Sequence, residues 1–232
     1  MEYQSLKQSF ELCEKKCKTC EEAAENGHLN CLKYARENGC SWNVKTCLLA
    51  AKNGHLDCLK YACENGCPSD YDTCSSAAYY GHLECLKYAH ENGCPLNEQV
   101  CHYAALNGQL ECLKYAHEHN FPWNADTCGF AVKYGKLDCL KYLHENGCPW
   151  DADTISAAAK FGSLECLKYA YENNCPRDIF PCSLAVINNH LDCLKYLLEK
   201  NFPWNKKECL KIATEHNKTS IIKYIKNINK KK

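Results

Sequence analysis

Leucines stand three residues apart after each of a series of glycines. Leu83 and Leu86 follow Gly81, and the same pair recurs after Gly54, Gly108, Gly135 and Gly162. With Ala or Leu three residues further on, this spacing draws one apolar stripe along a helix of about ten residues. The glycines lie 27 residues apart, so each can be numbered position 0 of a copy: Gly27, Gly54, Gly81, Gly108, Gly135, Gly162 and, by substitution, Asn189. Apolar residues at positions 20, 23 and 24, as in Cys101, Ala104 and Ala105, mark another helix ahead of each following glycine. Each copy therefore predicts two helices, a first helix before the glycine and a second after it.

The boundaries of both helices carry their own signals. An Asx side chain, the preferred N-cap, precedes the first helix in every full copy: Asn43, Asp70, Asn97, Asn124, Asp151, Asp178 and Asn205. The second helix has an acid in its first turn in most copies, such as Glu84 and Asp138, where it favours the positive end of the helix dipole. It stops at Gly or Asn at position 12, residues that tolerate a left-handed cap, and Pro follows two residues later in six copies. Helices this short cannot bury an apolar face alone, so neighbouring copies must stack. The expected fold is an all-α solenoid of stacked helix-turn-helix repeats. Residues 1–26 are expected to be an N-terminal capping region with a partial repeat, with Cys20, Ala23 and Ala24 in register. Residues 27–215 hold seven repeats of 27 residues, and residues 216–232 form a degenerate C-terminal capping repeat with a Lys-rich tail.

The stretch TCLLAAKNGHLDCLKYACENG, Thr46 to Gly66, resembles the ankyrin repeat in its start, its G-H-L-D turn and its Gly-terminated second helix. The resemblance runs from Cys20 to near Lys226. An ankyrin unit has ~33 residues, and these copies lack six where that family carries a projecting β-hairpin: Asn124 leads through Ala125 and Asp126 straight into Thr127. The wording LKYLHENGCPW, Leu140 to Trp150, is similar to the short ankyrin-like proteins of giant DNA viruses that infect amoebae. The resemblance implies a hairpin-less, non-enzymatic scaffold that binds a partner protein, with the first helices lining a concave face.

The 22 cysteines fall mainly into three columns. Position 4 holds Cys31, Cys58, Cys85, Cys112, Cys139, Cys166 and Cys193; position 13 holds Cys40, Cys67, Cys94, Cys148 and Cys175; position 20 holds Cys47, Cys74, Cys101, Cys128, Cys182 and Cys209. Every exception is a larger apolar side chain: Phe121, Phe202, Ile155 or Ile221. Metal ligands are not replaced by Phe or Ile, whereas small buried hydrophobes are, and a free Cys behaves as one. The columns are therefore read as packing, with no metal and no cofactor. The nearest approach to a zinc knuckle is Cys13, Cys17 and Cys20, in which Cys17 falls outside the columns and is read as incidental; Cys63-x-x-x-Cys67 has the same status. A Cys-rich zinc- or thiol-binding protein is the alternative reading.

Charge adds little to this picture. With 28 basic and 28 acidic side chains, no global field recruits nucleic acid or a membrane surface. No apolar stretch approaches the length of a membrane span, and the expectation is a cytoplasmic monomer, in the host cytoplasm if viral. No unit breaks the repeat to build a nucleophile, base or phosphate loop, so no catalytic residue is expected. Comparison between copies does single out one surface. Lys at position 6, Tyr at 7 and Glu at 10 are held in all seven copies and serve the stack, with Lys and Glu spaced for an i, i+4 pair. Positions 22, 25 and 26 of the first helix vary, and large aromatics gather there in the middle copies. The candidate partner-binding residues are Tyr79, Tyr80, Tyr103, Phe130, Lys133, Tyr134, Lys160 and Phe161.

Overall fold

The computed structural model describes residue 4, residues 17–95 and residues 97–228. Cys13 and Lys230 to Lys232 lie outside the described residues. Among the described residues there are sixteen helices and no strand. The first helices of the repeats are α1 (Cys20–Glu25), α3 (Val44–Lys52), α5 (Tyr71–Tyr80), α7 (Glu98–Asn107), α9 (Ala125–Lys133), α11 (Ala152–Phe161), α13 (Pro181–Ile187) and α15 (Lys206–Glu215). The second helices are α2 (Leu29–Glu37), α4 (Leu56–Glu64), α6 (Leu83–Glu91), α8 (Leu110–Glu118), α10 (Leu137–Glu145), α12 (Leu164–Glu172), α14 (Leu191–Glu199) and α16 (Thr219–Asn227). They form an all-α repeat solenoid whose helices fall into two compact units, divided between Pro122 and Trp123. Within each unit, a first helix packs on the first helices of adjacent repeats and on its own second helix.

The caps explain why the helices start and stop where they do. Asn43, Asp70, Asp151 and Asn205 each accept a hydrogen bond from an amide in the first turn they precede. Asp178 departs from the pattern, because Pro181 brings no amide hydrogen to the turn and α13 begins at that proline instead, after Phe180. The second helices end in the left-handed conformation at Gly66, Gly93 and Gly147, and at Asn120, Asn174 and Asn201 with φ near 60°. At position 0 the backbone is left-handed too, but the reason is tighter. The residue at position 1 of the next repeat lies over the glycine: a methyl on Gly27, Gly54 or Gly162 would meet the ring of His55, His82 or His190. His55 also hydrogen-bonds to the Glu25 carbonyl at 3.1 Å. The histidines of position 1 thus lid the preceding turn.

Burial follows the stripes. Leu32, Leu59, Leu86, Leu113, Leu140, Leu167 and Leu194 at position 5 are wholly buried, as are the alanine pairs Ala50–Ala51, Ala77–Ala78 and Ala104–Ala105 of the first helices. Small side chains at positions 23 and 24 let adjacent first helices approach closely.

The held residues of positions 6, 7 and 10 do serve the stack, though not by the expected pairing. Lys87, Lys114, Lys168 and Lys195 turn back to the acid three residues earlier, at 2.8 to 2.9 Å, rather than forward to Glu at position 10. In two other copies the position-6 ammonium lies over the position-7 ring of the next repeat, Lys33 on Tyr61 and Lys60 on Tyr88. Glu at position 10 finds its place beside that same phenol. Burial and then the neighbouring carboxylates of Glu37, Glu64, Glu91, Glu145 and Glu172 push the phenol pKa up at Tyr61, Tyr88, Tyr115, Tyr169 and Tyr196. His90 and His144 add a hydrogen bond to Tyr115 and Tyr169 at 2.8 and 2.9 Å. Within each unit, second helices are thereby keyed to one another.

Two substitutions separate these contributions. Leu113→Ala removes a wholly buried side chain and should cost about 2 to 5 kcal/mol in urea denaturation followed by circular dichroism. Gly147→Ala, with open space around it, should cost only the strain of a left-handed alanine, about 1 kcal/mol. Gly162→Ala should cost clearly more, because its methyl also meets His190. Equal losses at the two glycines would remove the lid from the account.

Candidate functional site

The variable positions of the first helices place the candidate residues on two faces, one in each unit. In the first unit, Tyr79 packs edge-to-face on Tyr80 at 4.8 Å and on Tyr103 at 5.8 Å between ring centroids. The Asn107 amide donates to the Tyr79 carbonyl at 2.7 Å, tying α7 to α5. Tyr80 stands outermost, 44 % exposed, with the Lys52 ammonium 5.7 Å from its ring centroid. Tyr79 and Tyr103 are half-buried beneath it.

In the second unit, Tyr134 and Phe161 are 47 % and 39 % exposed. Lys133 reaches both rings at 5.3 Å, and Lys160 reaches Phe161 at 5.3 Å. Contacts of a cation with an exposed ring contribute about 0.5 to 1 kcal/mol each. A groove of about 200 Å³ runs between α9 and α11 over Gly129, where the absence of a side chain opens the floor. One end is lined by Asp126, Asp151 and Asp153 at the starts of the helices. The other is lined by Phe130, Lys133 and Phe161 toward their ends. Acidic and aromatic surface are thus separated along its length.

A further apolar patch was not anticipated. Ile179, Phe180 and Ile187 are 65 %, 55 % and 43 % exposed, and they border a groove with Leu184, Trp204 and Ile212 in the second unit. The signal was in the sequence as Asp-Ile-Phe-Pro, where three other copies read Asx-Ala-Asp-Thr or Asp-Tyr-Asp-Thr. Pro181 displaces the helix start, and the residues that would have opened the helix stand out from it instead.

The cysteine columns are buried, and their chemistry is that of packing. Position 4 thiols are pushed up by burial to about 11 at Cys85, Cys139, Cys166 and Cys193, and to about 12 at Cys58 and Cys112. Held protonated, these thiols are not nucleophiles at neutral pH. At position 13 the thiol has a directional partner. Cys67, Cys94, Cys148 and Cys175 donate to the carbonyl of the N-cap residue one repeat back, Asn43, Asp70, Asn124 and Asp151, at 3.0 to 3.3 Å. The thiol of position 20 hydrogen-bonds in turn to that of position 13, which raises the pKa of Cys74 and Cys128. Valine or alanine would fill the volume and leave those carbonyls without this donor. Every described cysteine is a free thiol, and only Cys40 and Cys63 are not fully buried.

The comparisons with known proteins agree with this architecture. A family model described as ankyrin repeats (3 copies) matches residues 21–88, 128–201 and 155–232, and one described as ankyrin repeats (many copies) matches residues 74–125. Among solved structures, the human ASB11 ankyrin repeat domain is similar, with a TM-score of 0.58 and 23% identity over 67% of this chain and 83% of that one. No curated protein matches the chain. No helix of the described residues is long and apolar enough to cross a membrane.

Thiol exposure has a direct readout. Under native conditions, iodoacetamide should label Cys63 ahead of the fully buried column thiols by roughly tenfold or more. Cys63 is half-exposed, and the hydrogen bond from Cys47 holds its pKa down. Peptide mapping by mass spectrometry after timed quenching measures the order. Uniform labelling of all sites would mean that the columns open together.

Proposed function

The chain belongs to the ankyrin-repeat family, and from that premise we propose that it is a non-enzymatic interaction scaffold holding a partner protein on its first helices. This is the side that the family's arrangement makes concave. The observation that carries the reading is the exposure of Tyr80, Tyr134 and Phe161 at position 26, where Asn53, Asn107 and Asn188 stand in other copies. The repeat does not need aromatics there, and their exposure is unfavourable unless something covers them. Tyr103 and Phe130 are half-buried on the same first helices as the candidate set, and Lys133 and Lys160 flank Phe161. A few buried aromatics dominate the energy of most protein interfaces, which fits this small set. In the second unit, the acid-to-aromatic grading of the groove favours a segment with a cation at one end and an apolar side chain at the other.

Tyr80→Ala combined with Tyr134→Ala should abolish capture of the partner by the full chain, while leaving the helical spectrum and melting temperature close to wild type. Tyr115 is packed between repeats and makes a poor control. The suitable control is Glu84→Ala with Glu111→Ala, two exposed acids on the second helices. Capture lost in the control and kept in the aromatic pair would move the partner to the opposite side of the repeats.

A further inference from the structure

We infer that Cys17, His28 and Cys31 form a zinc-binding site in which the segment before α1 is tied to the start of α2. The sulfur of Cys17 lies 3.3 Å from Nδ1 of His28. The donor atoms of all three residues stand within 4.8 Å of one another, as those of no other group of three or more do among the described residues. Around a tetrahedral zinc with Zn–S ~2.3 Å and Zn–N ~2.0 Å, ligand atoms are about 3.5 to 3.8 Å apart, so the cluster needs only small adjustments to close on an ion. Cys17 and Cys31 are 3 % and 2 % exposed, and His28 is half-buried at the mouth. Two thiolates and an imidazole match the borderline softness of zinc and balance its charge, and they leave a fourth position for water or another ligand.

The repeat itself explains why the site occurs once. His at position 1 and Cys at position 4 recur as His55 and Cys58, His82 and Cys85, and His190 and Cys193. Those pairs lack a third ligand because the residue equivalent to Cys17 is the first of its helix, as at Val44 and Tyr71. At the N-terminal end the first helix starts three residues later, with Thr19 as its cap. Cys17 is thereby released from the repeat path and meets the next turn. Cys17, read as incidental from the sequence, is thus part of the site, and Cys20 is not. The Cys20 amide hydrogen-bonds to the Cys40 sulfur at 3.4 Å and its thiol points to the Cys40 carbonyl, inside the repeat core.

The test uses the full chain, purified under reducing conditions without chelator, and two probes, zinc and cobalt. Wild type should retain about one zinc per chain, and the cobalt form should show a thiolate-to-metal charge-transfer band with tetrahedral d–d absorption. Zinc should raise the melting temperature, since it binds only the folded arrangement. Cys17→Ser and His28→Gln should each lose the metal and its stabilisation. His28→Gln tests the ligand and not the fold, because Gln109 occupies the same position in another repeat. Cys20→Ser should keep the equivalent of zinc. The inference is overturned if wild type binds neither metal, if Cys17→Ser or His28→Gln binds as wild type does, or if Cys20→Ser alone abolishes binding in a folded chain.

Discussion

A helix of nine or ten residues is marginal in water, and this constraint governs the whole molecule. Each repeat offers one apolar stripe on each of two short helices, and the only surface that can cover them belongs to another repeat. Whatever sets the distance between repeats therefore decides stability. Three features set it here: alanine pairs between first helices, leucines wholly buried at position 5, and an imidazole seated on the glycine of the preceding turn. The second helices add finer registration, with ammonium, phenol and carboxylate in the same relation at Tyr61 and Tyr88.

Cysteine suits this spacing better than its size alone suggests. At position 13 it is small enough to be buried and polar enough to donate to a carbonyl that the connecting turn leaves inside. Phe121 and Phe202 fill the same place by volume alone, which is why the column tolerates them. The thiols are abundant because the geometry repeats, and they are quiet because burial keeps them protonated. The same residue type has a different character once it leaves the repeat path. Cys63 is half-exposed beside Cys47, and Cys17 faces an imidazole.

In the proposed reading, function is carried by departures from the repeat. Aromatics at positions 25 and 26, the displaced helix start at Pro181 and the late start of α1 are all places where one copy differs from its neighbours. Two of these departures expose apolar side chains, tyrosine and phenylalanine rings in one case and an isoleucine and phenylalanine pair in the other, and the third sets a buried thiol outside the columns, beside His28.

Periodicity, caps and stop signals were written in the sequence, and they determined the helices, the repeat and the ankyrin-like character, because each depends on residues within one copy. The packing role of the columns was also legible, since Phe and Ile substitute there. The partner of each side chain was not legible. Lysine at position 6 chose the acid behind it in some copies and the ring of the next repeat in others, over the glutamate ahead of it. His55 found a turn in the preceding copy, and Cys17 found His28 and Cys31 rather than Cys20. These choices depend on how one copy is translated and rotated onto the next, a relation set by the summed packing of both helices. The sequence of a single copy specifies which faces are apolar, and only the stacked structure decides which atoms of neighbouring copies come within reach.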